Sequence, residues 1–487
     1  MQTTSPPRRV EFAGWMPVFR RFGNCGNHPQ FAHAGEPPPG FRFVRSGPGP
    51  EDEPREPFWQ KAARLTGTAL GSAAFAALAP IASALSAPFT HGVMGTARAL
   101  GGLFGAGLRL MTKSDPISVA RFLHSRHFAS QAQLPSGDDL LFLTSVPYTY
   151  GQRPWVIEVE DATTLFFPFL RNGETHDVEP AASPYFPLVR ALLEADNCRG
   201  IVTHIRSTAE SMGKLFQSEV IARKTFHVPL GVRAPESYQR HEDPDGPVDL
   251  LFTNSWHQDP NSFFLRGGLE VLDAFEVLRA RYPQVRLTMR SRLPQLPPRY
   301  GRILEDGWVR VISRFLPDDE LDELMRSAHV FLLPAARIHI VSVLKAMAYG
   351  QAVVVSDGWG MTEHVTHGET GLVVPGRHGK ASWMCERTGL LREDYRVMKQ
   401  ASPEVTEGLV HAVSSLIEDI ELRRRLSLAA RQHVMDSHGI AQWNTGLARV
   451  FASALGEDFS GPGAAGADNS RLPGPTSRNG HDHHSCR

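Results

Sequence analysis

From residue 248 to residue 356, short aliphatic runs alternate with amphipathic helices, and few folds accept that pattern. Val248–Asn254 (VDLLFTN), Val285–Arg290, Val309–Ser313, Val330–Pro334 and Ala352–Ser356 read as strands. Between them Val271, Phe275, Leu278 and Tyr282 recur at helical spacing. Leu321, Leu324, Met325 and Ala328 do the same, and so do Val341, Leu344, Met347 and Ala348. Strands this apolar have no face to give to water, so they belong in a parallel sheet covered by helices on both sides. The fold class is α/β. Ligands of such a sheet sit beyond the carboxyl ends of its strands.

The chain has 487 residues, which asks for two domains of roughly 200 residues plus tails. The first half is less regular. Arg9–Phe19 suits a first strand and turn, and Leu140–Ser145 and Trp155–Glu160 read as buried strands. Tyr185–Glu194 reads as a helix and Gly200–His204 as a strand. Phe226–Pro235 closes this half. Glu236–Pro247, charged and proline-containing, reads as a hinge. The stretch after Gly456 is rich in Gly, Pro, Ser and Asn, the composition of a disordered tail.

Charge and cysteine usage remove several function classes. With 51 basic and 51 acidic residues the net charge is zero, which gives no support to nucleic-acid binding. The cysteines Cys25, Cys198, Cys385 and Cys486 are scattered without CxxC spacing, as in reduced, cytoplasmic thiols. Met1–Arg9 has no apolar run behind it and is no secretory signal. Between Arg64 and Arg98 only His91 is ionisable. This Ala- and Leu-rich stretch is interrupted by Pro80 and Pro88. It reads as a helical insertion, about 60–112, with contact at a membrane surface as the alternative. Cys25 and His28 lack a second ligand pair, Asp243–Pro244–Asp245 lies in the hinge, and His481–His484 lie in the tail. No metal is expected.

Ser342–Val374 reads SVLKAMAYGQAVVVSDGWGMTEHVTHGETGLVV. A helix carrying Ala346–Met347–Ala348 and Gly350 is followed by a buried strand, a glycine turn, Glu363 and the turn His367–Leu372. This segment resembles the signature of the retaining family-4 (group 1) glycosyltransferases. Phe226–Val232, Leu265–Phe275, Phe315–Pro334 and Ser437–Leu455 with Trp443 resemble further landmarks in the family's order. The resemblance covers 200–455 well and 1–200 weakly. It implies a GT-B fold, two Rossmann-like domains with a cleft between them. Residues 1–235 would form the acceptor-side domain, 236–247 the hinge and 248–436 the nucleotide-sugar domain. Residues 437–455 would form a helix crossing back, and 456–487 the tail. It implies transfer of a sugar from a nucleotide-sugar donor to a glycan, lipid-linked or other hydroxyl acceptor. The nucleotide-diphosphate sugar is then a co-substrate, with no cofactor and no metal, and the anomeric configuration is retained. At family level it implies polysaccharide or envelope assembly in the cytoplasm, with peripheral contact at the membrane's inner face.

Carried over residue by residue, Arg266 stands where the family has a phosphate-binding lysine, before a helix whose free amides add positive potential. Arg266, Arg314 and the turn from Gly358 through Gly360 and Thr362 to Glu363 would hold the diphosphate. Two family glutamates are replaced, by Arg337 and Lys345. A lysine cannot accept ribose hydroxyl protons as a carboxylate does, but it can pair with a phosphate. Arg337, His339 and Lys345 would line the donor pocket, with Ser342 beside them. Trp359 either stacks on a ring or packs between loops. On the first domain the family's histidine is replaced by Glu160–Asp161. Asp161 is the candidate catalytic carboxylate, a base or a stabiliser of a cationic sugar, with helix capping as the alternative. His339 is the second catalytic candidate. The loop Gly23–His33 suits acceptor binding. The lost glutamates also fit a catalytically silent GT-B protein that binds a glycan or partner. A phosphorylase or epimerase on the same fold is a third reading, because fold does not fix reaction.

Overall fold

The computed structural model describes residues 6–13, 36–45, 139–144, 154–166, 170, 173–182, 186–236, 246–254, 261–305, 307–314, 316–377 and 379–458. The Ala- and Leu-rich stretch 65–97, the loop 23–33, most of the linker 236–247 and the tail beyond 458 lie outside them. No described helix is long and apolar enough to cross a membrane.

Two parallel six-stranded sheets organise the chain. The first joins β1 (Arg8–Ala13), β2 (Phe41–Arg45), β3 (Leu140–Thr144), β4 (Trp155–Glu158), β5 (Cys198–Thr203) and β6 (Thr225–His227), in the order β2-β1-β3-β4-β5-β6. β3 and β4 are buried along their whole length, as continuous aliphatic and aromatic runs require. Among the described residues before the linker, α1 (Phe186–Glu194), α2 (Arg206–Phe216) and α3 (Glu219–Lys224) accompany this sheet. Stacked Phe166, Phe186 and Phe216, with centroids 5.1–5.8 Å apart, fill one side.

The second sheet contains β7 (Asp249–Thr253), β8 (Arg286–Arg290), β9 (Val309–Ile312), β10 (Val330–Leu333), β11 (Ala352–Ser356) and β12 (Leu372–Val374), ordered β12-β11-β10-β7-β8-β9. The order reverses between β7 and β10. The crevice beyond their carboxyl ends is the binding place of an open α/β sheet. Helices α4 (Ser262–Leu265), α5 (Gly268–Arg281), α6 (Pro298–Glu305), α7 (Asp318–Ser327) and α8 (Ile340–Ala348) connect the strands. Gly267, at φ +76°, turns the chain from α4 into α5. A Cβ there would lie 2.5 Å from Pro334 O, so only glycine lets the two segments approach.

Beyond β12 comes an antiparallel hairpin, β13 (Ser382–Met384) and β14 (Leu391–Glu393). It docks on the first domain. Leu390 enters that domain's core, Thr175 Oγ1 donates to Leu391 O at 2.7 Å, and Glu393 N donates to Thr175 Oγ1 at 2.9 Å. Helices α9 (Pro403–Glu418) and α10 (Ile420–Ser437) then return to the second sheet. After an elbow at His438–Gly439, α11 (Ile440–Leu455) runs back across the first. Its Phe451 meets Phe41 and Phe142 edge-on, at 5.4 and 5.1 Å. The elbow is tied to the interdomain strand by Val232 N, which donates to His438 O at 2.8 Å.

Candidate active site

The carboxyl ends of β7 and β8 and the face of α8 bring basic groups together. Arg266, at the end of α4, is buried and donates to Thr253 O at 3.1 Å and Ser342 Oγ at 3.4 Å. Burial pushes its guanidinium down to about 9, an effect that the charge of Glu160 only partly offsets and that Arg290 reinforces. Arg290 closes β8 and is itself pushed down by burial. Burial pushes the Lys345 ammonium down to about 8, against the attraction of Asp322 and Asp318. His339, at the start of α8, is held well below the usual imidazole range by burial and by Arg266 and Arg337. Its ring is neutral, and its Nε2 is buried with no hydrogen-bond partner among the described residues. Such a cluster lowers its own energy by taking up an anion. Below it Asn254 and Ser291, each following a strand, are linked at 3.3 Å.

Arg337 points away from this cluster, across the cleft. It lies in the loop after β10 and is 4% exposed. It meets Asp161 at 2.5 Å, Glu160 at 3.2 Å and Glu393 at 3.3 Å. The loop after β4 and the hairpin thus converge on one guanidinium of the second domain. Burial opposes its charge, yet Asp161, Glu393, Tyr395 and Glu160 together hold the proton more firmly than water does. Glu393 is pushed up by burial despite Arg337. It also accepts from Gly173 N and Tyr395 Oη, each at 2.9 Å. Trp359 is buried, with the Arg337 guanidinium 5.4 Å from its ring, so it packs inside this loop cluster.

Asp161 is 1% exposed and also accepts from Thr163 N at 2.8 Å, capping the 3-10 turn Ala162–Phe166. It therefore caps and clamps at once. Its neighbour Glu160 keeps 37% of its side chain exposed at the cleft.

The glycine turn is built by protein packing. A Cβ on Gly358 would lie 2.1 Å from Ala335 O. One on Gly360, at φ +77°, would lie 2.9 Å from Ile338 Cγ2. Both glycines let the turn sit against the loop that carries Arg337. Thr362 is exposed. Glu363 accepts from Arg206 N at 2.6 Å, Ser207 N at 3.1 Å and Ser207 Oγ at 2.8 Å. The residue at the head of α2, Ile205, has no capping side chain, so a carboxylate of the other domain caps that helix. Arg314 is exposed beyond β9 and pairs with Glu320.

Sequence reasoning therefore names Arg266, Arg337, His339 and Lys345 around the cleft, and misses Arg290, His204 and Glu393. Arg290 carried a usable signal, a cation at the carboxyl end of a parallel strand. His204, directly after β5, carried the same signal; Glu393 carried none, because its partners are distant in sequence.

Residues 266–388 match the family model of glycosyl transferases group 1. The matched segment, called the group 1 domain below, runs from the end of α4 into the hairpin β13–β14. Among solved structures the chain is similar to sucrose-phosphate synthase from Thermosynechococcus elongatus, at 17% identity and TM-score 0.44, over 66% of this chain and 75% of that one. It is similar to Anabaena HepE in complex with UDP and glucose, at 14% identity and TM-score 0.44, over 65% and 78% of the two chains. It is also similar to the C-terminal domain of the group 1 glycosyl transferase LpcC from Francisella tularensis, at 13% identity and TM-score 0.29, over 40% and 87%. No curated protein matches the sequence. The group 1 domain contains Arg266, Arg290, Arg337, His339, Lys345 and Glu363. Glu160, Asp161 and Glu393 come from outside it.

Proposed function

We propose that this protein moves a sugar from a nucleoside-diphosphate donor to a hydroxyl acceptor. The observation that carries the reading is the cluster of buried Arg266 and half-buried Arg290 and Lys345 around half-buried, neutral His339, at the carboxyl ends of β7 and β8 within the group 1 domain. The bond from sugar to diphosphate breaks by pushing charge onto the leaving phosphate. Fixed cations in a low-dielectric pocket stabilise that charge as it grows. The His339 Nε2 offers a neutral hydrogen-bonding atom for a sugar hydroxyl. Glu160 approaches from the other domain, and its charge is felt by Arg266. A carboxylate there can stabilise a cationic sugar ring or take the acceptor's proton. Asp161, clamped by Arg337, holds the loop that presents it.

Metal independence, retention of configuration and the absence of a cofactor belong to the same proposal and come from the family resemblance. So do a glycan or lipid-linked acceptor, a role in polysaccharide assembly, and a cytoplasmic place with peripheral membrane contact. UDP, GDP, ADP and TDP, tested by calorimetry, decide the donor site. One of them should bind at micromolar level and lose at least tenfold in Arg266→Ala and Arg290→Ala. The sequestration of Arg337 by three carboxylates favours a second reading, a catalytically silent glycan- or partner-binding protein. Well-folded protein that binds none of the four nucleotides would select it.

A further inference from the structure

Three ionisable groups line up at the carboxyl ends of β4 and β5, outside the group 1 domain. Glu158 ends β4, Glu160 follows it, and His204 follows β5; the strands are paired, with Glu158 opposite Val202. Glu158 Oε1 lies 3.6 Å from His204 Nδ1, and His204 Nε2 lies 3.8 Å from Glu160 Oε2. Glu160 Oε1 then lies 3.2 Å from Arg337. Side-chain exposure rises along the line, from 2% at Glu158 to 9% at His204 and 37% at Glu160.

Neither oxygen of Glu158 and neither ring nitrogen of His204 has a hydrogen-bond partner among the described residues. A buried carboxylate left so is costly unless a cation matches it within a few ångströms. The cation in reach is the imidazolium of His204. Such a ring, anchored on one side by a buried acid, presents its other nitrogen in a fixed direction. We propose that His204 is a positioning residue: clamped by Glu158, it stays cationic and holds Glu160 ionised and aimed at the donor pocket. The inference rests on reading the cleft as a glycosyl-transfer site.

The surrounding groups are compatible. Arg206 on α2, His227 on β6, Arg337, Glu363 and His364 from the second domain, and His438 at the elbow face this region. His227, His364 and His438 are all pushed down by burial, so they are neutral and do not compete for the carboxylates. Arg337 is engaged by Asp161 and Glu393. Burial opposes the His204 charge, but Glu158 and Glu160 raise the ring to about 9.

The test is NMR titration of the full chain, labelled with 15N-histidine and 13C-glutamate, assigned with His204→Gln and Glu160→Gln. His204 should remain imidazolium at pH 8, and Glu158→Gln and Glu160→Gln should each lower its proton affinity at least tenfold. The Glu160 carboxyl should show no titration between pH 4 and 8, and its midpoint should rise by a unit or more in His204→Gln. A merely structural histidine would not move that midpoint. If His204→Gln fails to fold, the isosteric Glu158→Gln decides the matter alone. Titration of His204 near the ordinary value of about 6.5, or indifference to both glutamate variants, overturns the proposal. Calorimetry of UDP, GDP, ADP and TDP on the unaltered chain runs in parallel. Absence of binding by all four sinks the donor reading and leaves the His204 result standing; binding of one with an ordinary His204 titration does the reverse.

Discussion

Raising the pH from 7 to 9 should strip the donor pocket of a charge. Burial pushes the Lys345 ammonium down to about 8, with Asp322 and Asp318 opposing the fall and Arg290 adding to it. A bound diphosphate would return it toward its ordinary value of about 10.4, so binding takes up a proton. The sign follows: affinity is full below pH 8 and is lost as pH rises through it. The loss factor is roughly 1 + 10^(pH−8), about 1.1 at pH 7 and about 11 at pH 9, or about 1.4 kcal/mol. Arg266 stays cationic across this range, as guanidinium groups do, so the titration is that of Lys345. The ligand does not mask the effect, since a terminal phosphate with a pKa near 6 is ionised throughout. Calorimetry with UDP from pH 6.5 to 9, in buffers of different ionisation heat, measures both the affinity and the proton taken up. Lys345→Met should bind more weakly at pH 7 and stay flat to pH 8.5. Constant affinity across the range, or a decline that persists in Lys345→Met, would refute the reasoning.

Arg337→Met leaves Asp161, Glu160 and Glu393 facing one another in a buried site, and should cost about 3–5 kcal/mol in urea unfolding at pH 7. The cost should shrink toward pH 5 as Glu393, already pushed up by burial, takes a proton. Glu363→Ala removes the cap that one domain lends to α2 of the other, and should cost about 1–2 kcal/mol, while Glu363→Asp restores part of it. Burial pushes His438 down to about 4. The unfolded chain therefore binds its proton first, so His438 alone should contribute a fall in stability of about 1.4 kcal/mol per pH unit from about 6.5 to 4; His438→Gln should remove that share of the slope and leave the shares of His227, His339 and His364.

Much of the second domain was legible in the sequence. β10 and β11 are the runs VFLL and AVVVS, buried on both faces, β7 is nearly so, β8 alternates as RLTMR, and α8 carries a regular apolar stripe, so local pattern and tertiary need agree there. β2 was not legible. It is an edge strand that alternates aromatic and basic residues, FRFVR, with no continuous apolar run. The hairpin β13–β14 was also invisible. Its strands are three residues each, and β14 buries Arg392 and Glu393, which read from sequence as solvated charges.

Residue type and periodicity were enough for the α/β class, for most strands and helices of the second sheet, and for the basic character of positions Arg266, Arg337 and Lys345. Those rest on periodicity and residue type, which are local. The tertiary structure alone decided which carboxylate meets which cation. Arg337 turns to Asp161 and Glu160, 176 and 177 residues away, and Glu363 caps a helix 157 residues away. Glu158 and Glu160 enclose His204 because β4 and β5 lie side by side. Charge pairing acts through a few ångströms of space, and only the folding of two sheets against each other sets those distances.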